Sequence, residues 1–152
     1  MKKYRLTEET TKVGNRPLYR IQALRDFGNV KEGDIGGYIE SEKNLSQDGD
    51  AWVYGDACVS GDACVYGDAR VYGNADIKTT GDICSMSGFG SEYRTTTAFR
   101  TKNGDVHVSC GCFQGNLEAF CQRVESTHGN NLYGREYKKM IEMLKIHFEV
   151  EP

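Results

Sequence analysis

From Gly49 to Ile83 the chain repeats itself every six residues. Val53, Val59, Val65, Val71, Ile77 and Ile83 stand six apart. Ala51, Ala57, Ala63, Ala69 and Ala75 precede the first five by two, with Gly81 in the sixth unit. Asp50, Asp56, Asp62 and Asp68, then Asn74, hold the next phase, and Gly49, Gly55, Gly61, Gly67 and Gly73 complete the register. A strand alternates with a period of two and a helix with 3.6, so neither yields a strict six with a glycine in nearly every unit. A hexapeptide period predicts a parallel β-helix.

The expected geometry follows from the side chains. Each hexad supplies one short strand and one corner. The β-branched residue and the alanine two before it point inward, where the alanine site admits only a small group. Glycine and aspartate take the corner, where positive φ or a side chain bonded to its own backbone is easiest. Three hexads close a coil of about 18 residues, and coils stack about 4.8 Å apart. Residues eighteen apart should therefore stack: Val53 on Val71, Val59 on Ile77, Val65 on Ile83. Outside, Tyr54 should meet Tyr72, and Trp52 should meet Arg70 as a cation–π pair. Cys58 and Cys64 are expected outside, on adjacent faces. About two such coils leave open strand edges, which need caps.

The flanks supply candidates. YRLTEETTKVGNRPLYRIQALRDF predicts a β-hairpin with strands near residues 3–7 and 17–24, turning at VGNRP. GNVKEGDIGGYIESEKNLSQDGD looks like a glycine-rich loop, although Ile35, Ile39 and Leu45 suggest that it begins to wind. After the repeat, alternating strands flank Asn103-Gly104, a hairpin signal. Asn116 is a plausible N-cap for a helix carrying Leu117, Phe120, Cys121 and Val124 on one stripe, which Gly129 ends. Tyr137, Ile141, Leu144 and Phe148 mark a second helix. The expected division is a hairpin cap at 1–28, a hexapeptide-repeat β-helix at 29–84 and a C-terminal α+β domain, a hairpin plus two helices, at 85–152.

Charge narrows the partners. Residues 1–28 carry seven basic against three acidic side chains, residues 29–83 four against eleven, and residues 84–152 eight of each. The repeat is thus the acidic part, unsuited to nucleic-acid phosphates. No apolar run is long enough for a transmembrane helix and no secretory signal opens the chain, so a cytoplasmic protein is expected, with no membrane partner. In that compartment the six cysteines read as free thiols rather than bridges.

Catalytic residues are scarce. Some hexapeptide-repeat proteins resemble acyltransferases or carbonic anhydrases, which use histidines on the coil. The three histidines of this chain, His107, His128 and His147, all follow the repeat. Cys110 and Cys112 form C-x-C rather than C-x2-C, without histidines at zinc-site spacing. In a strand both thiols would face one side; core packing is expected, and pairing with His107 as nucleophile and base is the alternative. No catalytic residue, metal or cofactor is expected. The exposed candidates are the row Asp50, Asp56, Asp62 and Asp68 with Trp52, Tyr54, Tyr66 and Tyr72, an acidic, aromatic surface suited to binding a protein. The alternative is that aspartate merely suits the corners.

The stretch RIQALRDFGNVKEGDIGGYIESEKNLSQDGDAWVYGDA resembles the opening of small polymer-forming hexapeptide-repeat proteins of bacteriophages and prophages. CGCFQGNLEAFCQRVESTHGNNLYGREYKKMIEML resembles a phage domain of unknown function. The resemblance implies a left-handed β-helix, against the usual right-handed crossover. It also implies a phage setting, with no catalytic residues to carry over. The expected function is then a non-enzymatic binder of a host protein complex, inhibiting a defence system in the manner of an anti-CRISPR. Two alternatives stand beside it: self-assembly as a dimer, trimer or scaffold, and sequestration of a small signalling nucleotide between subunits, for which Arg94, Arg100 and Lys102 speak.

Overall fold

The computed structural model describes residues 2–150. The chain forms two compact units, Met1–Ile83 and Cys84–Pro152.

In the N-terminal unit, β1 (Tyr4–Val13) and β2 (Arg16–Ala23) pair antiparallel from Tyr4 opposite Ala23 to Val13 opposite Arg16, with a bulge between Leu6 and Thr10. Gly14, at φ +62°, turns the corner between them. β3 (Ile35–Ile39) pairs antiparallel with β2. The repeat then contributes four strands of two residues each: β4 (Trp52–Val53), β5 (Cys58–Val59), β6 (Arg70–Val71) and β7 (Asp76–Ile77). β5 pairs parallel with β3 and with β7, giving a mixed five-stranded sheet ordered β1-β2-β3-β5-β7. β4 and β6 form a separate parallel pair, with Trp52 opposite Arg70 and Val53 opposite Val71.

The period is therefore expressed as register. Val53, Val59, Val65, Val71 and Ile77 are all fully buried, and the alanines of the repeat are buried with them. Burying each valine side chain contributes about 1.5–3 kcal/mol. The expected β-helix does not form. The chain holds separate sheets, and the largest of them is mixed and begins in the N-terminal hairpin. On one face the rungs join that hairpin through β3; on a second they stop at β4 and β6; on a third only the bridge between Leu45 and Val65 is made. Strands of two residues have too few ladder bonds to build a wall alone, so they extend the sheet already beside them. The hairpin and the repeat belong to one unit.

The stretch that reads as a loop supplies the connecting strand. A Cβ on Gly36 would lie 2.6 Å from the Val53 carbonyl oxygen, and one on Gly37 2.7 Å from that of Ala57. The paired glycines thus let β3 press against the repeat. Polar side chains fasten the rest. Buried Asn44 donates to the carbonyls of Ala63 at 2.8 Å and Gly61 at 3.2 Å, and accepts from the Ser41 amide in a capping box. Gln47 accepts from the Lys3 amide at 2.7 Å and donates to the Tyr4 carbonyl.

The C-terminal unit carries β8 (Ile83–Phe89), β9 (Arg94–Arg100), β10 (Val106–Cys110), β11 (Phe113–Asn116), α1 (Leu117–Thr127) and α2 (Leu132–His147). The strands make an antiparallel sheet ordered β11-β10-β9-β8, four strands where a two-stranded hairpin was expected. Asn116 accepts from the Ala119 amide at the start of α1, and Asn131 from the Gly134 amide at the start of α2. One side of the sheet and both helices bury Val108, Phe113, Phe120, Val124, Tyr137 and Leu144. Among the described residues no helix is long and apolar enough to cross a membrane.

Candidate anion-binding cleft

The densest gathering of chemically capable side chains lies in the C-terminal unit. Cys110 pairs with Phe113 across the β10–β11 turn, leaving Gly111 and Cys112 as its two central residues. Gly111 sits at φ +59°, and Arg94 from the start of β9 crosses directly over it, so that a Cβ there would collide with the arginine stem, 2.7 Å from its Cδ. Arg123 of α1 lies over the Phe113 ring, 5.3 Å from its centroid. Phe113 packs on Phe120, and Phe120 meets Tyr137 edge-on at 5.7 Å. His128, the C-cap residue of α1, stacks on Tyr137 with ring centroids 5.8 Å apart and planes 19° from parallel. These groups border one cleft of about 110 Å³.

Its inner lining is mainly apolar, with Phe113, Phe120 and Val124 beside Cys110 and the Tyr137 ring. The Thr96 hydroxyl donates to Cys110 Sγ at 3.3 Å, and the Tyr137 hydroxyl donates to the Phe89 carbonyl at 3.5 Å. Burial, with the contact to Cys110, pushes the Tyr137 phenol well above its ordinary range, so it stays protonated. Two guanidinium groups and an imidazole at the mouth, above a neutral floor, make a setting for an anion.

Sequence reasoning had Cys110 and Cys112 on one side of a strand beside His107. Here Cys110 is buried, Cys112 is exposed in the turn, and the imidazole at the same cleft is that of His128. His107 instead faces Phe99, and His147 lies edge-on to Phe148. Nothing in the sequence marks Arg123, and Arg94 stands out there only alongside Arg100 and Lys102. Only the fold brings Arg94, Arg123 and His128 to one place. Among the described residues no cluster suited to a metal is present.

The surface expected to bind a partner is only partly exposed. Asp50, Asp56, Asp62 and Asp68 are exposed, and Tyr66 is 63% exposed. Asp56 lies 3.5 Å from Arg20, and Asp62 accepts from the Thr80 amide, both of them contacts within the unit. Tyr54 and Tyr72 lie half-buried against each other, centroids 6.0 Å apart. Trp52 is not outward. It is 3% exposed, edge-on to Phe27 at 5.2 Å and to Tyr4 at 6.5 Å, and it is Tyr54 that the Arg70 guanidinium covers. Cys58 is buried as well. Where the repeat merges with the hairpin sheet, positions that would face solvent on an isolated coil are covered by the segment around Tyr4 and Phe27.

Together the two units define an α+β chain with the cleft in its helical half. No family model matches the chain. One curated protein, the uncharacterized acetyltransferase YdcK of Escherichia coli strain K12, is 39% identical over 62 residues, covering 36% of this chain and 19% of that protein. The chain thus matches less than a fifth of the relative's length. The match is to a protein named as a bacterial acetyltransferase, which corrects the expected phage family and leaves the anti-defence reading that rested on it without support. The match does not support the expectation that the chain is not an enzyme.

Proposed function

We propose that this protein binds a small anionic ligand, with a phosphoryl or carboxylate group held between Arg94, Arg123 and His128. The observation that carries the reading is the convergence of two arginines and an imidazole on one cleft, with Arg94 seated over Gly111. A space of about 110 Å³ suits one such group rather than a whole nucleotide. The rest of the ligand would then lie outside, near the exposed Cys112 turn. Isothermal titration with inorganic phosphate, adenosine monophosphate and acetate tests it. Saturable binding is expected, weakened about tenfold or more in Arg94→Gln and Arg123→Gln, as removal of a charge-assisted hydrogen bond implies. Absence of binding for all three ligands, or binding by both variants as tight as by the unsubstituted protein, would overturn it.

A second reading, acyl transfer, draws on the name of the matched relative. Thiol release from acetyl coenzyme A in the presence of amine acceptors, abolished in His128→Asn, would favour it over simple binding.

A further inference from the structure

A second cavity of the C-terminal unit differs in character. It measures about 520 Å³, within the range of small-molecule sites. Met86 and Phe89 of β8 form one side, and Leu132, Met140 and Met143 of α2 the other. Met140 is buried as the floor, whereas Phe89, Leu132 and Met143 are 41%, 58% and 54% exposed. Large apolar side chains gathered at a concavity are uncommon on a surface without a use. Methionines suit a site that adapts to a flexible chain, because their unbranched stems repack.

The rim carries two cations and one carboxylate. Arg135 and Lys139, one turn apart on α2, border the groove. The one carboxylate there, Glu136, is already engaged: it accepts from the Gly90 amide at 3.1 Å. Lys139 is shared with Glu142 at 3.2 Å in a pair exposed on both sides, which costs little to open.

We propose that this groove binds a free single-chain amphiphile, its apolar tail against Met86, Phe89 and Met143 and its anionic head against Arg135 and Lys139. Arg135 and Lys139 are the two groups that favour an anionic head over a neutral one, and a space of about 520 Å³ suits a single chain. The groove shares no lining residue with the arginine cleft.

The test is displacement of 8-anilinonaphthalene-1-sulfonate from the full chain by decanoate and by decan-1-ol. One decanoate per chain is expected. Met143→Glu, at an exposed helix position, should weaken both ligands at least tenfold while leaving helical circular dichroism intact. Arg135→Gln with Lys139→Gln should weaken decanoate about tenfold and spare the alcohol. Arg94→Gln should change neither. Three results would overturn the proposal: no saturable binding, equal loss of acid and alcohol in the double variant, or binding to phosphatidylglycerol vesicles without binding of free decanoate. A dimer by light scattering that Met143→Glu converts to monomer would overturn it too, by assigning the groove to a second copy.

Discussion

Lys3 stands just before β1 with its side chain wholly enclosed. Its ammonium donates to the carbonyl of Ala51 at 2.8 Å, approaches those of Gly49 and Asp48, and lies 4.9 Å from the Phe27 ring centroid. Burial, then the charge of Arg25, brings its pKa from 10.5 down to about 8, against the opposing pull of Asp50 and Asp48. The unfolded chain therefore holds the extra proton between those two values. Raising the pH through that window favours the folded state, by at most about 1.4 kcal/mol per pH unit. Urea denaturation followed by Trp52 fluorescence from pH 8 to 10.5 should show stability rising from this source. Lys3→Met should flatten the rise. A slope unchanged by the substitution would place its origin elsewhere. Nothing in MKKYRL distinguishes Lys3 from Lys2 beforehand; only the corner at Gly49–Ala51 folding over it does.

At the scale of elements, α2 begins with a conflict between propensity and packing. Gly134 lies inside the helix, where alanine would ordinarily gain about 1 kcal/mol. A Cβ there would strike the carbonyl of Gly129, the residue whose positive φ turns the chain out of α1. Gly134→Ala should therefore destabilise the C-terminal unit by about 1–3 kcal/mol, the cost of overpacking, read as a lowered midpoint at 222 nm. Local signals were legible at this scale. Asn116 caps α1 and Asn103-Gly104 turns between β9 and β10, because caps and tight turns are set by a few neighbouring residues. β3 was not legible. Its two glycines resemble a loop, and they are there for a close approach to Val53 and Ala57, which lie far along the chain.

The whole molecule offers two separable reporters. Its single tryptophan, Trp52, is buried in the N-terminal unit, and both α-helices belong to the C-terminal one. Each unit has its own buried core. Lys3→Met should shift the fluorescence midpoint alone, and Gly134→Ala the 222 nm midpoint alone. Movement of both midpoints by either substitution would mean that the cores unfold as one.

The hexapeptide period by itself determined that the alanines and β-branched residues from Ala51 to Ile77 turn inward and that Val53 and Val71, and Val59 and Ile77, stand as partners eighteen apart, whereas Ile83, expected on Val65, opens β8 instead. It did not determine the architecture. A strand of two residues carries too few hydrogen bonds to choose its own sheet, so β5 and β7 extend the hairpin through β3, while Trp52 on β4 turns inward because Tyr4 and Phe27 pack against it. The candidate cleft was hidden for a related reason. Arg94, Cys112, Arg123 and His128 are spread over a strand, a turn and a helix, and only the packing of α1 and α2 on the sheet sets them around one space.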